Sequence, residues 1–314
     1  MKQIQFIFNG GLGNQIFQYL ASKYISEELV NLKVEYGLSE YILNGGRHFE
    51  LNKLLLSPLQ IKKENNNYFQ RVYTKLINKI LFFENENIYR IKFYFDLLNN
   101  LYYENTSNEN LQDPIKKLLR DLKLINNFSR RLKINGFWQN PSSYMGELEN
   151  YKKLFINTKK QLPTGIIPNN YISIHIRKGD YYLTKDSIDS YYSKFSPIKF
   201  ILLSLELLPE DYSNLPIYLI SDDISWRNYL LEILSNSQAK KFRVINTRNH
   251  IEDWSILRHS SVNICSNSTF SYTAALLNND NKERKLRCIV PQWIYKKVTA
   301  YEQGWLEPQG FVDL

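Results

Sequence analysis

The chain has 314 residues, 43% of them hydrophobic and 14% aromatic, with a formal net charge of +9. That length exceeds what one hydrophobic core organises, so two domains are expected. No run reaches the ~18 apolar residues of a membrane span, and two cysteines with four scattered histidines argue against a disulfide scaffold or a zinc cluster. The charge admits three classes of partner: nucleic acid, an anionic membrane surface, or an acidic small molecule. No zinc finger, RNP motif or repeated basic-aromatic unit supports the first.

Lys2 to Phe8 reads as a strand. It is too short for a signal peptide, which favours a cytoplasmic chain. Gly10-Gly11-Leu12-Gly13-Asn14-Gln15 follows, then a helix from Asn14 to Leu29 with Ile16, Leu20 and Tyr24 at i, i+4 spacing. Asn31 to Tyr36 is a second strand. Residues 60–130 are rich in Asn, Lys and aromatics and mostly helical in pattern, with Leu76-Ile77, Ile80-Leu81, Leu118-Leu119 and Leu122 as faces. Glu64 to Asn67 and Asn105 to Asn110 read as loops. Ile134 to Gln139 is a strand or its end. Gln161 to Asn170, with two prolines and a glycine, is the expected linker, giving domains 1–165 and 166–314.

The second half alternates strand and helix. Tyr171–Ile176, Ile217–Ile220, Phe242–Ile245, Val262–Cys265 and Arg287–Val290 are the strands. Ile198–Leu208, Trp226–Ser235, Trp254–His259 and Phe270–Leu277 are the helices. Such alternation implies a parallel sheet flanked by helices, with ligands beyond the strand C-termini. Cys265 and Cys288 lie in apolar runs and are expected as buried thiols.

Three loops hold the candidate chemistry. The first glycine loop resembles a dinucleotide fingerprint, with Glu35 near the ribose-carboxylate position, but Ile16 occupies the third glycine position. The loop also suits a backbone and Asn14 cradle at a helix N-terminus. His175-Ile176-Arg177-Lys178-Gly179-Asp180-Tyr181 delivers two adjacent cations from a strand end, an anion site in which a guanidinium can hold two phosphate oxygens. Ser266-Asn267-Ser268-Thr269-Phe270-Ser271 precedes an apolar helix, so its hydroxyls can cap that helix or bind phosphate there. Ser221-Asp222-Asp223 reads as a metal-binding carboxylate pair or as a helix cap, and Asp253 as an N-cap.

As an ordered set, with Gly136-Phe137-Trp138-Gln139, Ser221-Asp222-Asp223 and Asp253-Trp254 between and around them, these loops resemble the α-1,2-fucosyltransferases of glycosyltransferase family 11. The resemblance runs nearly end to end. It implies an α/β fold of GT-B type: two Rossmann-like domains facing a cleft, with a helix-rich N-terminal domain on the acceptor side and GDP-fucose in the C-terminal one. It implies inverting transfer of L-fucose from GDP-β-L-fucose to the 2-hydroxyl of a terminal galactose in surface polysaccharide or O-antigen synthesis. It assigns Arg177 and Asn14 to catalysis. It assigns Gly11, Gly13, His175, Lys178, Asp253, Ser268, Thr269 and Phe270 to the donor, with Asp253 reading guanine. No metal or other cofactor is expected, since cations replace the metal.

The expected partners are GDP-fucose and a galactose-terminated oligosaccharide, free or lipid-linked, with peripheral contact at the inner face of the membrane and no nucleic acid. Lysine at 178, where the family often has arginine, keeps the charge but loses the planar fork. Tyr272, Thr273 and Ala274 stand where the family continues with two tryptophans and a glycine. Two other readings remain: an NAD-dependent oxidoreductase on the first glycine loop, and a non-catalytic basic protein binding nucleic acid or glycans.

Overall fold

A computed structural model describes residues 2–29, 32–62, 91–95, 100–105, 115, 119, 131–136, 138–139, 141–162, 170–178, 197–237, 242–266, 268–278, 286, 288–290, 294–295, 298–299 and 311–313. The chain divides into two compact units, Met1–Glu147 and Leu148–Leu314. Each is α/β and built on a largely parallel sheet, the Rossmann-like half that a GT-B fold requires.

In the first unit, β1 (Lys2–Phe8) buries Ile4, Gln5, Phe6 and Phe8 and leaves Gln3 and Ile7 partly exposed. α1 (Leu12–Glu28) packs on β1 and β2 (Leu32–Leu38), burying Ile16, Phe17 and Leu20. A short α2 (Glu40–Leu43) is capped by Ser39. β3 (Ile91–Phe95) and β4 (Asn100–Asn105) pair antiparallel, and β5 (Arg131–Asn135) joins them to β1 in the order β2-β1-β5-β4-β3.

The two middle strands correct the helical reading of residues 60–130. Ile91-Lys92-Phe93-Tyr94-Phe95 and Leu101-Tyr102-Tyr103 are aromatic-rich, and aromatics fit a pleated surface. Leu119 is helical and buried as expected, whereas Leu76-Ile77, Ile80-Leu81, Leu118, Leu122 and Glu64 to Asn67 lie outside the described residues. Asn105, read as the start of a loop, ends β4.

The second unit begins with α3 (Leu148–Lys152) and continues with β6 (Ile172–Ile176), α4 (Pro197–Glu206), β7 (Ile217–Ser221), α5 (Ile224–Ser237), β8 (Phe242–Val244), α6 (His250–Arg258), β9 (Val262–Ile264), α7 (Thr269–Leu276) and β10 (Cys288–Val290). A small β11–β12 hairpin (Ile294–Tyr295, Val298–Thr299) and β13 (Phe311–Asp313) follow. The sheet runs β13-β10-β9-β6-β7-β8, parallel throughout. Its core is aliphatic: Ile172, Ile174, Leu219, Val262, Ile264 and Ile289 from the strands, Leu230 and Leu234 from α5.

The division falls earlier than the expected 165/166 boundary, because residues 148–161 pack on this unit. Buried Arg258 donates from Nη1 to the Ile156 carbonyl at 2.9 Å and from Nε to the Leu277 carbonyl at 3.1 Å. Its guanidinium also lies over the rings of Trp254 and Phe155. Thr158 Oγ1 and His259 Nε2 are 3.1 Å apart.

Candidate functional site

A topological switch point, where chain connections leave in opposite directions, opens a crevice beyond the strand C-termini. In the second sheet it lies between β6 and β9, since β7 and β8 build outward on one side and β10 on the other. His175, Arg177 and Lys178 come from the end of β6, and Ser266, Ser268, Thr269 and Phe270 from the end of β9. The structure therefore brings these residues to one place.

His175 is buried, with Nδ1 2.7 Å from Ser266 Oγ and its ring 5.4 Å from that of Phe270. Burial, and then the Arg177 charge, push its pKa down to about 3. It is a neutral imidazole that fastens the two loops together. Ser268 caps α7 by accepting from the Phe270 amide at 3.3 Å. The cap does not use up the helix start, which still presents other amide groups. Tyr272, Thr273 and Ala274 are buried, and Thr273 Oγ1 accepts from Trp254 Nε1 at 3.4 Å, so the family departure lies in the packing under the loop.

The Ser221-Asp222-Asp223 segment at the end of β7 holds the cations of the β6 loop. Asp222 Oδ2 is 2.5 Å from Arg177 Nη1, and its Oδ1 accepts from the Lys178 amide at 2.9 Å. Asp223 Oδ2 is 3.4 Å from Lys178 Nζ, and its Oδ1 accepts from the Trp226 amide at 2.8 Å, capping α5. The Trp226 amide first, with Lys178, holds the Asp223 carboxyl below its usual range against the opposing effect of burial. The cap reading is thus met. Each carboxylate pairs with a cation, and no cluster of three or more His, Cys, Asp or Glu suited to a metal occurs among the described residues. Lys178 Nζ also stands 4.7 Å above the Trp226 ring, the behaviour of a point charge rather than a fork. Gly179, Asp180, Tyr181 and Asn267 lie outside the described residues.

Asp253 is not an N-cap. Asn249 caps α6, accepting from the Ile251 and Glu252 amides, and Asp253 sits in the first turn. Burial raises its pKa, outweighing the bond from Thr247 Oγ1 at 2.7 Å and the Arg227 charge. A carboxylate so desolvated gains from any further N–H donor. Arg227 was missed by sequence reasoning. It is buried, donating to the Ile245 carbonyl and Asn246 Oδ1, while its Nε lacks a partner. The signal was there: Arg227, Leu230 and Leu234 share one stripe at i, i+3, i+7, which points the guanidinium inward. Asp253 follows β8 at the same sheet edge as Ser266. The three strand spacings between β9 and β8 amount to about 14 Å, the order of an extended nucleoside diphosphate.

In the first sheet β1 and β5 lie side by side and parallel. α1 starts at Leu12 rather than Asn14, so Gly11 is its N-cap and Gly13 and Asn14 lie in the first turn. Gly11 supplies no side-chain cap, and no described atom lies within 4 Å of where its side chain would begin. Asn14 Oδ1 accepts from Gln139 Nε2 at 3.0 Å. Gln15 is buried and fully used, donating to Gly10 and His48 carbonyls and accepting from the Glu50 and Leu51 amides. The NAD reading fails on two counts. Ile16, at the third glycine position, is fully buried against the sheet. Glu35 is buried and ion-paired with Lys33 and Lys62, which outweigh burial and hold its pKa down.

Cys265 and Cys288 are buried free thiols with Sγ atoms 3.4 Å apart. No helix among the described residues is long and apolar enough to cross a membrane.

A family model described as glycosyl transferase family 11 matches residues 3–306. An alpha-1,2-colitosyltransferase of Escherichia coli is 28% identical over 279 residues, 86% of each chain. Among solved structures, POFUT1 in complex with GDP aligns over 91% of this chain and 97% of its own, at TM-score 0.46 and 11% identity. E. coli heptosyltransferase WaaC with ADP aligns over 99% and 92%, at TM-score 0.43 and 10% identity.

Proposed function

Since this chain belongs to glycosyltransferase family 11, we propose that it transfers L-fucose from GDP-β-L-fucose to the 2-hydroxyl of a terminal galactose, with inversion. The observation that supports this most is the meeting of Arg177, Lys178, His175 and the α7 N-terminus at one switch point. The acceptor hydroxyl oxygen attacks the anomeric carbon from the face opposite GDP. The bond from that carbon to the β-phosphate oxygen breaks, GDP leaves with the electron pair, and the hydroxyl proton is released. Charge grows on the β-phosphate as the bond breaks, so a cation placed there stabilises the transition state more than the ground state.

Arg177 suits that role. A guanidinium has five N–H donors, more than the Asp222 carboxylate occupies. Lys178 and the amides of α7 add positive potential for the α-phosphate. Asp253 suits the guanine N1–H and N2–H donors, which adenine lacks in that pairing. In the N-terminal unit, Asn14 and the open space before Gly11 serve the acceptor side. Two cations and a helix start neutralise pyrophosphate without a divalent metal, so turnover is expected to persist in EDTA. We place the activity in surface polysaccharide assembly at the cytoplasmic face, on a free or lipid-linked glycan.

A second donor is favoured by one observation, the identity to an alpha-1,2-colitosyltransferase. Colitose is fucose without its 3-hydroxyl, so the same site chemistry serves both. The test is a donor panel of GDP-fucose, GDP-colitose, GDP-mannose and UDP-galactose, each with lactose and N-acetyllactosamine. GDP-fucose turnover to an α-1,2-linked galactoside by NMR is the expected result. Turnover of GDP-colitose alone would move the reading to the second donor. Turnover of UDP-galactose, or linkage at another hydroxyl, would overturn both.

A further inference from the structure

Beyond the adjacent ends of β1 and β5 the backbone adopts a strained path that ends on Asn14. Gly136 has φ +158°, and a side chain there would begin 2.9 Å from the Trp138 ring, so no larger residue fits. Trp138 has φ +53°, a left-handed conformation that a bulky residue adopts only when its surroundings hold it there. The surroundings do so: Trp138 is 2% exposed, and the Gly136 carbonyl accepts from Gln18 Nε2 at 2.8 Å. Gln18 Oε1 in turn accepts from the Asn9 amide, tying this corner to the end of β1. Directly after Trp138, Gln139 donates to Asn14 Oδ1.

Asn14 and Gln18 stand at i, i+4 on one face of α1, and both engage the corner. Gln18 already fastens it in a buried bond. The Gln139–Asn14 bond is only partly buried, so it adds little to folding beyond what Gln18 supplies. It does fix the Asn14 amide. Gly10 completes the fit from below. Its φ is +75°, and a side chain there would begin 2.5 Å from Asn14 Nδ2, so Asn14 lies against bare backbone. A floor, a brace and a strained strut thus converge on one carboxamide beside the open space before Gly11.

We propose that Gln139 is a positioning residue: it acts through Asn14, holding that carboxamide in the orientation that meets the reactants. The proposal rests on the reading that Asn14 touches the reactants. Strain at Trp138 is kept because the left-handed turn is what directs Gln139 back toward α1.

The test is a double-mutant cycle with N14A, Q139A, Q139E and N14A/Q139A, using whichever nucleotide sugar of the panel turns over, with thermal unfolding of each. Q139A should lower kcat roughly tenfold, within the range of couplings between contacting residues, with KM for the nucleotide sugar and Tm little changed. Q139E, a near-isostere without the amide donor, should lose at least as much. N14A/Q139A should be no slower than N14A alone. The Asn14 side-chain NH2 resonance, identified by its loss in N14A, should shift in Q139A whether or not activity is measured.

Multiplicative losses in the double mutant, or an unmoved Asn14 resonance, would overturn the proposal. So would near-normal kcat in Q139A, or unfolding of both Q139A and Q139E. Full activity in N14A would instead remove the premise that Asn14 touches the reactants.

Discussion

In the N-terminal unit two adjacent parallel strands, β1 and β5, lead to an amide pair, Asn14 and Gln139. In the C-terminal unit the strands that flank the switch point, β6 and β9, lead to His175 and Ser266, with Arg177 and Lys178 beside them. Each pair joins the loops of two adjacent parallel strands through a side-chain contact. The first surround is neutral and suits hydroxyls. The second is cationic and suits a diphosphate. One architecture thus presents two polar surrounds, and on the proposed function the residues placed at each decide which reactant it fits.

The sharpest way to break this contrast is to remove the charge. Arg177→Ala should lower kcat by at least ~10²-fold, the scale for losing one preorganised group that stabilises developing charge. Arg177→Lys should stay strongly impaired, since an ammonium cannot copy two parallel bonds, and Lys178→Ala should cost less. Steady-state kinetics alongside Tm would decide. A normal rate in Arg177→Ala with loss in Lys178→Ala would reverse the assignment.

Next in size is the base. Asp253→Asn replaces a carboxylate that can take two N–H donors with an amide that cannot. Donor affinity should fall roughly 10- to 100-fold, the range for bonds to charged groups, with kcat at saturation less affected. Calorimetry with GDP and with ADP would show whether discrimination between the bases narrows. Unchanged discrimination would remove guanine from Asp253.

On the neutral side, Gly11→Ser tests what the open space is for. Gly11 has φ −77° and ψ 179°, which any residue can adopt, and its side chain would meet no described atom. Folding should tolerate it, while KM for the acceptor rises roughly tenfold as positioning is disturbed. An unaltered acceptor KM would show that the acceptor lies elsewhere.

The smallest effect concerns pH. His175 is held neutral by burial and by Arg177, its pKa falling from 6.5 to about 3. The unfolded chain takes up this proton near pH 6.5 and the folded chain does not, so the contribution is present above that pH. It is lost as pH falls, at about 1.4 kcal/mol per unit. Unfolding measured between pH 7 and 5 should show this slope in the wild type and a flatter one in His175→Asn. Equal slopes would place the proton on another group.

The second half of the chain was legible because its strands are apolar, short and separated by amphipathic helices, which is the pattern a buried parallel sheet leaves. Residues 91–105 were not, because their aromatics serve helix and strand alike and only pairing with β5 decides between them. The ordered loops placed Arg177, His175 and Ser268. No local pattern could show that Asp222 bridges Arg177 and the Lys178 amide, since that contact spans 44 residues of sequence. Trp138 was visible as a motif residue, but its left-handed backbone was not, because nothing in a tryptophan favours that conformation.

Arg258 also determines where the protein can be divided into independent pieces. Its guanidinium reaches the Ile156 carbonyl from a fully buried position 102 residues further along. A C-terminal fragment begun at residue 166 would lose that acceptor, the Phe155 ring and the Thr158 partner of His259 together. One begun at residue 148 keeps all three. Autonomy of the C-terminal unit therefore depends on a short segment that sequence order alone assigns to its neighbour.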